Sequence, residues 1–142
     1  IVSAMADSII TAYEKLLLER VRQAASATEK LEAALDFLVD EFIFNRRLNR
    51  VFYNLVQMAF ERATVREALR KQLRVYHGHI VTVLQEGTAS GEFRPHDSRR
   101  MATLLVALIE GMALQWVIDS SRLNRRAVLE SIHETIRFHL LE

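Results

Sequence analysis

The chain has no cysteine, one proline and four glycines in 142 residues. Without cysteine there is no disulfide framework, no thiol nucleophile and no cysteine zinc site. So little proline and glycine leaves few turns, which argues against a β-rich fold. Charge of one sign is also missing. The net charge is +1, so the chain as a whole is not built to bind a polyanion. Its cations are nearly all arginine, with Lys15, Lys30 and Lys71 as the only lysines. No uninterrupted run of 18 apolar residues occurs, so no membrane span and no membrane partner is expected. The first residues, IVSAMADSII, lack the basic start of a secretory signal. These absences fit a cytoplasmic protein. The chain opens without methionine, inside an amphipathic pattern, and we expect a further segment before Ile1 in the gene product.

Half the residues are hydrophobic, enough for one domain with a real core spanning residues 1–142. The apolar positions recur with a helical period throughout. About six antiparallel helices are expected, giving an all-α fold. The first runs from about Ser3 to Ala24, with Met5, Ile9, Ala12, Leu16 and Val21 on one stripe. Ser26 and Glu29 have capping-box spacing and open the second, which buries Leu31, Leu35, Leu38, Val39 and Phe42. Asn45, Arg46 and Arg47 interrupt the pattern before a third helix over about Leu48 to Arg62. Thr64 and Glu67 form a second capping box, opening a long fourth helix to about Ala89. Gly91 terminates it, and Asp97 caps a fifth. Asn124 caps a sixth, whose stripe is Val128, Leu129, Ile132, Ile136 and Leu140.

The fifth helix carries the strongest signal. From Met101 to Ile118 only Thr103, Glu110 and Gln115 are polar. A helix apolar on nearly every side is buried on nearly every side. A domain of this size covers one side, and a second copy of the chain covers the other. We therefore expect a homodimer in which the last two helices of each copy form a four-helix bundle. Its contact would use Thr103, Ala107, Glu110, Gly111 and Leu114, with Leu129, Ile132, Ile136 and Leu140. Gly111 in mid-helix costs about 1 kcal/mol against alanine, which close approach of another helix would offset; the other reading is space for an aromatic ring within one chain.

Three segments together resemble the C-terminal regulatory domain of TetR-family transcriptional repressors. They are LQEGTASGEFRP (Leu84 to Pro95), the helix start from Asp97 to Ala102, and LLVALIEGMALQWVID (Leu104 to Asp119). The stretch from Val51 to Ile80 is similar to the same family's middle helices. The resemblance covers nearly the whole chain and is most specific from Gly91 to Asp119. It implies an all-helical homodimer with a ligand cavity among the helices. The family's helix-turn-helix domain lies N-terminal to such a region and is absent from this chain. DNA would therefore be reached only through that missing part, and no residue here is assigned to base readout.

A ligand cavity needs apolar walls and a few orienting polar groups. The residues expected to line it are Phe42, Phe52, Tyr53, Val56 and Gln57, then Leu73, Tyr76, His77, Ile80 and Leu84 on the fourth helix. Leu105, Ile109, Met112 and Trp116 complete the set on the fifth. Aromatics at helical spacing are more often core than cavity, and each of these competes with that reading. Glu110 is either a cavity group or the partner of an arginine across the dimer seam. No cation cluster converges on one point, so the expected effector is small, largely apolar, and neutral or weakly polar.

No catalytic constellation, cofactor or metal site is expected. Glu130 and His133 have the E-x-x-H spacing of metal-binding bundles, but the second such pair those sites need is missing. Arg137 stands where a zincin would place its second histidine. His77 and His79 point to different sides of a helix. Arg46, Arg47 and Arg50 read as a solvated helix junction in preference to a nucleic-acid patch. Two other classes compete with an effector-binding regulator. One is a helical dimerisation module without ligand, and the other is a helical metalloenzyme.

Overall fold

A computed structural model describes residues 2–141, apart from the side chains of Val2, Ser3, Met5, Ala6 and Ile10. Six α-helices follow in order: α1 (Val2–Arg22), α2 (Ala27–Leu38), α3 (Arg46–Ala59), α4 (Ala63–Ala89), α5 (Ser98–Ile118) and α6 (Arg125–Ile136). No strand occurs among the described residues. Short π-helical turns, Val39–Ile43 and Arg137–Leu141, extend α2 and α6.

The caps explain most helix starts. Ser26, Asn45, Asp97 and Asn124 each accept a hydrogen bond from the backbone N–H three residues on, at 3.1, 3.0, 3.1 and 2.9 Å. The expected capping box at Thr64 does not form. Helix α4 begins at Ala63, and Arg62 stands at its cap without a side-chain bond. Thr64 therefore lies already within the first turn, and Glu67 pairs instead with Arg70.

Helix α4 is the central post, in contact with α1, α2, α3 and α5. Its far half carries Ile80, Val83 and Leu84 into the main core. There they meet Leu31 and Leu35 of α2, Val39 and Ile43 of the π turn, and Leu105 and Ile109 of α5. Helix α6 closes this core with Val128, Ile132, Ile136 and Leu140, at 2, 4, 1 and 0 % exposure. Two smaller clusters surround the near half of α4. One holds Leu55, Val65 and Ala68; the other holds Leu17, Ala34, Phe37 and Tyr76.

Helix α1 is rotated from its expected stripe. Leu17 is the buried residue, and Tyr13 and Val21 pack beside it, whereas Leu16 is 48 % exposed and Ala12 is exposed. The run Leu16-Leu17-Leu18 permits either face, and packing against Ala34 and Phe37 of α2 selects Leu17. Met5 lies outside the described side chains.

The α4–α5 loop pins both ends of the fold. Gly91 adopts φ +81°, which lets the chain reverse after α4. Glu92 then accepts bonds from Ala27 N–H (3.1 Å), Thr28 N–H (3.2 Å), Thr28 Oγ1 (3.1 Å) and Ser90 Oγ (3.0 Å). A carboxylate at the start of α2 satisfies free amides and the helix dipole. Its pKa falls below the ordinary glutamate value, chiefly because the Thr28 backbone N–H bonds the charged form. A folded pKa below the unfolded one stabilises the protein above the unfolded value, and that contribution vanishes as pH falls through the folded one. Glu92→Gln should therefore melt below wild type at pH 7, with the difference closing toward pH 3; a gap constant with pH would refute the assignment. Arg94 meanwhile donates from its backbone N–H to Leu140 O (2.8 Å) and from its guanidinium to Phe138 O, tying down the chain's last helical turn.

Candidate functional site

Helix α3 explains why there is a cavity. Leu48, Val51, Phe52, Leu55, Val56 and Ala59 recur at the spacing of one helix face. Of these only Leu55 is buried; the others are half-buried. Leu55, with Val51 and Ala59 beside it, packs on Val65 and Ala68, and the rest of this apolar face borders open space. The space is a half-open cavity of about 440 Å³ lined by α1 to α5. It falls within the usual size range of small-molecule sites, about 300–1,000 Å³.

Helix α1 contributes Ile9 and Tyr13 to the wall, and α2 contributes Phe37 and Leu38. The π turn at Val39–Ile43 buries Val39 and Ile43 fully in the core while Phe42 and Glu41 line the cavity. Phe42 meets Phe52 edge-on at 4.8 Å, and Phe52 meets Tyr53 at 5.5 Å. Helix α4 adds Leu69, Leu73 and Tyr76, and α5 adds Val106, Ile109 and Glu110. Burial pushes the Tyr76 phenol far above its ordinary value, with Glu14 and Tyr13 adding to the effect, so it stays protonated. Burial likewise raises the Glu110 carboxyl. Tyr53 is raised by burial and then by the Glu110 charge.

Of the residues expected at a ligand site, the cavity brings together Phe42, Phe52, Val56, Leu73, Tyr76 and Ile109. The rest lie elsewhere. Ile80, Leu84 and Leu105 are sealed in the main core at 1, 0 and 3 % exposure. Helix α4 leaves space beside Leu73 and Tyr76 but packs directly on α2 and α5 one turn later. Met112 and Trp116 sit against that same core, where Trp116 meets the Phe44 ring at 5.4 Å and the Arg46 guanidinium at 4.6 Å. Tyr53, Gln57 and His77 are outside the cavity lining, and Gln57 is exposed. Residues not singled out in the sequence also line the cavity: Tyr13, Phe37, Leu48, Val51, Leu55, Leu69 and Glu41. The period of α3 was the available signal for Leu48, Val51 and Leu55.

The residues expected at a dimer contact divide in the same way. Thr103, Ala107 and Leu114 are exposed, and Gly111 is half-exposed with open space around it. Leu129 is half-buried against the core. Ile132, Ile136 and Leu140 are corrected: they are buried inside their own chain and have no surface left for a partner. Glu110 lines the cavity from the edge of the exposed face, between Ala107 and Leu114. The exposed large apolar side chains of this region are Leu104, Leu108, Leu114, Val117 and Ile118 on α5, with Phe138 and Leu141 after α6; Leu16, Phe60 and Leu73 are exposed elsewhere.

Among the described residues, α5 is the one helix long and apolar enough by composition to cross a membrane. Its Ala102, Leu105, Val106, Ile109 and Ala113 are instead part of the protein core. His133 is engaged with Asp36 at 2.7 Å. Among the described residues no group of three or more potential metal ligands occurs.

An all-helical domain with a cavity among its helices is the architecture of a TetR-type regulatory domain. Residues 27–140 match the family described as BetI-type transcriptional repressor, C-terminal, and the chain belongs to that family. Solved structures agree on the fold. A protein described as a transcriptional regulator from Saccharomonospora viridis, in complex with choline, superposes with TM-score 0.90 at 16 % identity, over 99 % of this chain and 73 % of that one. Another, from Pseudomonas aeruginosa PAO1, gives 0.83 at 15 %, over 94 % and 64 %. The transcriptional regulator FadR from Bacillus subtilis, in complex with stearoyl-CoA, gives 0.79 at 19 %, over 94 % and 71 %. No curated protein sequence matches the chain.

Proposed function

We propose that this chain is the effector-binding and dimerising domain of a TetR-like transcriptional repressor, and that ligand binding is coupled to release from DNA. The observation that carries this reading is the cavity wall itself. Ile9 and Tyr13 belong to α1, the helix nearest in sequence to where this family carries its DNA-binding part. An occupant touching Tyr13 touches that helix directly. If it fits one position of α1 better than another, it shifts the population of the two, by no more than its differential affinity. Effector and operator then weaken one another reciprocally. Choline and stearoyl-CoA, held by two of the similar structures, differ widely in size and charge, and at 16 and 19 % identity neither is transferred to this cavity.

The test is a saturable apolar occupant. N-phenyl-1-naphthylamine, a neutral fluorophore, should bind with enhanced emission. Val56→Trp places an indole into the space beside Phe52 and should abolish that binding while leaving the far-UV circular dichroism unchanged. A ligand-free dimerisation module predicts no saturable binding to begin with. Equal binding by wild type and Val56→Trp would remove this cavity as the site.

A further inference from the structure

The first half of α4 carries a row of charge that the fold does not use. Arg62, Arg66, Arg70 and Arg74 stand four residues apart, with Lys71 beside them. On a helix that spacing stacks the arginines along one side, at steps of about 6 Å. All five cations are exposed, while Val65, Ala68 and Tyr76 turn to the core. Between residues 61 and 74 only Glu61 and Glu67 oppose them. Glu67 reports the sign of the local field. Its carboxyl is held below the ordinary glutamate value, chiefly by the bond from Arg70, with the charges of Arg70, Arg74 and Arg66 adding to it.

This ladder works against the helix that bears it. Like charges at i and i+4 destabilise a helix. The lower rungs also sit at the positive end of the α4 dipole, where the first turn has no acidic residue and Arg62 makes no side-chain cap. Two rungs have local partners: Arg66 donates to Ala59 O at 3.0 Å, and Arg70 pairs with Glu67. Among the described residues no hydrogen bond or ion pair reaches the guanidinium of Arg62 or Arg74. The cluster singled out in the sequence is of another kind. Arg46, Arg47 and Arg50 stand at the start of α3, and Arg46 lies over the Trp116 ring.

A row of evenly repeated cations is complemented by a chain of evenly repeated anions. Arginine at every rung suits phosphate, whose oxygens its planar fork can hold in pairs. The ladder also runs beside the first turns of α1, since Asp7 shares a surface groove with Lys71 and Arg74. That is the end of the domain nearest to where this family carries its DNA-binding part. We propose that the α4 ladder is an auxiliary contact for the phosphate backbone of DNA, read by charge and not by base sequence. DNA is then met by this domain as well as through the N-terminal part. The inference rests on the chain belonging to a DNA-binding regulator and is independent of the cavity.

The experiment is fluorescence anisotropy of a labelled duplex of arbitrary sequence, titrated with this chain at low salt. Wild type should bind saturably and lose affinity as salt rises, each phosphate contact adding about 0.9 to the slope of log affinity against log salt. Arg62→Gln/Arg74→Gln should weaken binding at least about tenfold and flatten that slope by about 2. Arg47→Gln/Arg50→Gln removes the same charge from an exposed site on α3 and should stay within about twofold of wild type. Neither Arg62 nor Arg74 lines the cavity, so the ladder variant should still bind N-phenyl-1-naphthylamine, which also shows it to be folded. Relieved of repulsion, it should melt at or above wild type. No saturable binding of the duplex by wild type would overturn the proposal, and the effector reading would stand on its own fluorophore test. Equal losses in the two double variants would assign the effect to net charge. A ladder variant that melts below wild type and binds the duplex unchanged would make the arginines structural. Tighter binding to phosphatidylglycerol vesicles than to the duplex would make this a membrane-facing surface; each of these results ends the DNA assignment.

Discussion

Gly87→Ala is expected to melt about 10 °C below wild type, although alanine is the better helix former. Gly87 is buried in the last turns of α4. A Cβ built there would stand 2.0 Å from Phe93 Cδ2, 2.3 Å from Cε2 and 2.7 Å from Cγ. These are atoms along the side of the ring, so a small rotation does not clear them. Phe93 has no free space to retreat into, being 3 % exposed within the main core. Its backbone N–H is also tied to Gly87 O at 3.0 Å. Either α4 shifts against its neighbours or the ring leaves the core. Overpacking costs about 1–3 kcal/mol, and losing a buried phenylalanine about 3–5 kcal/mol. Both exceed the gain of about 1 kcal/mol in helix propensity. The sign of the change therefore decides between the two effects. In a Phe93→Ala background the clash is gone, and Gly87→Ala should then raise the melting temperature. Gly78→Ala is the control: it is exposed, with nothing within 4 Å, and should stabilise by up to about 1 kcal/mol. A Gly87→Ala variant as stable as wild type would refute the close packing of Phe93 on α4.

The contrast between glycines shows where sequence reading stops. Gly111 attracted attention because it interrupts the most apolar helix, and it faces open space. Gly87 gave no such signal of its own, and it is where a ring presses on the backbone. Which glycine is approached closely depends on the path of the Gly91–Pro95 loop, and no local pattern encodes that. Helix number and three caps were legible because Ser26, Asp97 and Asn124 act on amides three residues away, whereas Asn45 read only as a break in the pattern. The cavity was half legible. Phe42, Phe52 and Tyr76 are aromatic at helical spacing, which gives the face but not whether that face meets a core or a void. Ile80 and Leu84 continue the face of Tyr76 and fall into the core, because α2 and α5 close on α4 at that level. The role of Glu110 was left between cavity and seam for a similar reason. One polar residue in an apolar helix marks a position of consequence, but its direction follows only from how α5 is rotated. That rotation also decides α6, whose stripe reads the same whether it packs on its own chain or on another.

Leu114→Glu is expected to give a folded monomer. In the single chain Leu104, Leu114 and Val117 are each nearly half exposed, at 47, 47 and 49 %, and Ile118 and Phe138 more so, at 76 and 63 %. So many large side chains on one side exceed what a monomer normally leaves in water. We propose that a second copy covers them by a two-fold contact, so that Leu114 meets the same surface of its partner. Thr103, Ala107 and Gly111 recur every fourth residue on the exposed side of α5, and side chains this small let two helices approach closely. A glutamate at Leu114 brings two like charges into that seam. Like-charge juxtaposition costs several kcal/mol, enough to weaken the dimer roughly a thousandfold. Sedimentation should then show a monomer at concentrations where wild type is dimeric, with unchanged helicity. Ile132→Glu provides the contrast, because Ile132 is 4 % exposed within its own chain: it should unfold the domain, not merely separate it. A Leu114→Glu protein that stays dimeric would place the interface elsewhere. The same variant also separates the two faces of α5. Val106, Ile109 and Glu110 line the cavity, whereas Ala107 and Leu114 are exposed and flank Glu110 along the helix. A monomer that still binds N-phenyl-1-naphthylamine shows a cavity complete within one protomer. A change in that affinity on dissociation measures directly how strongly α5 couples the cavity to the seam.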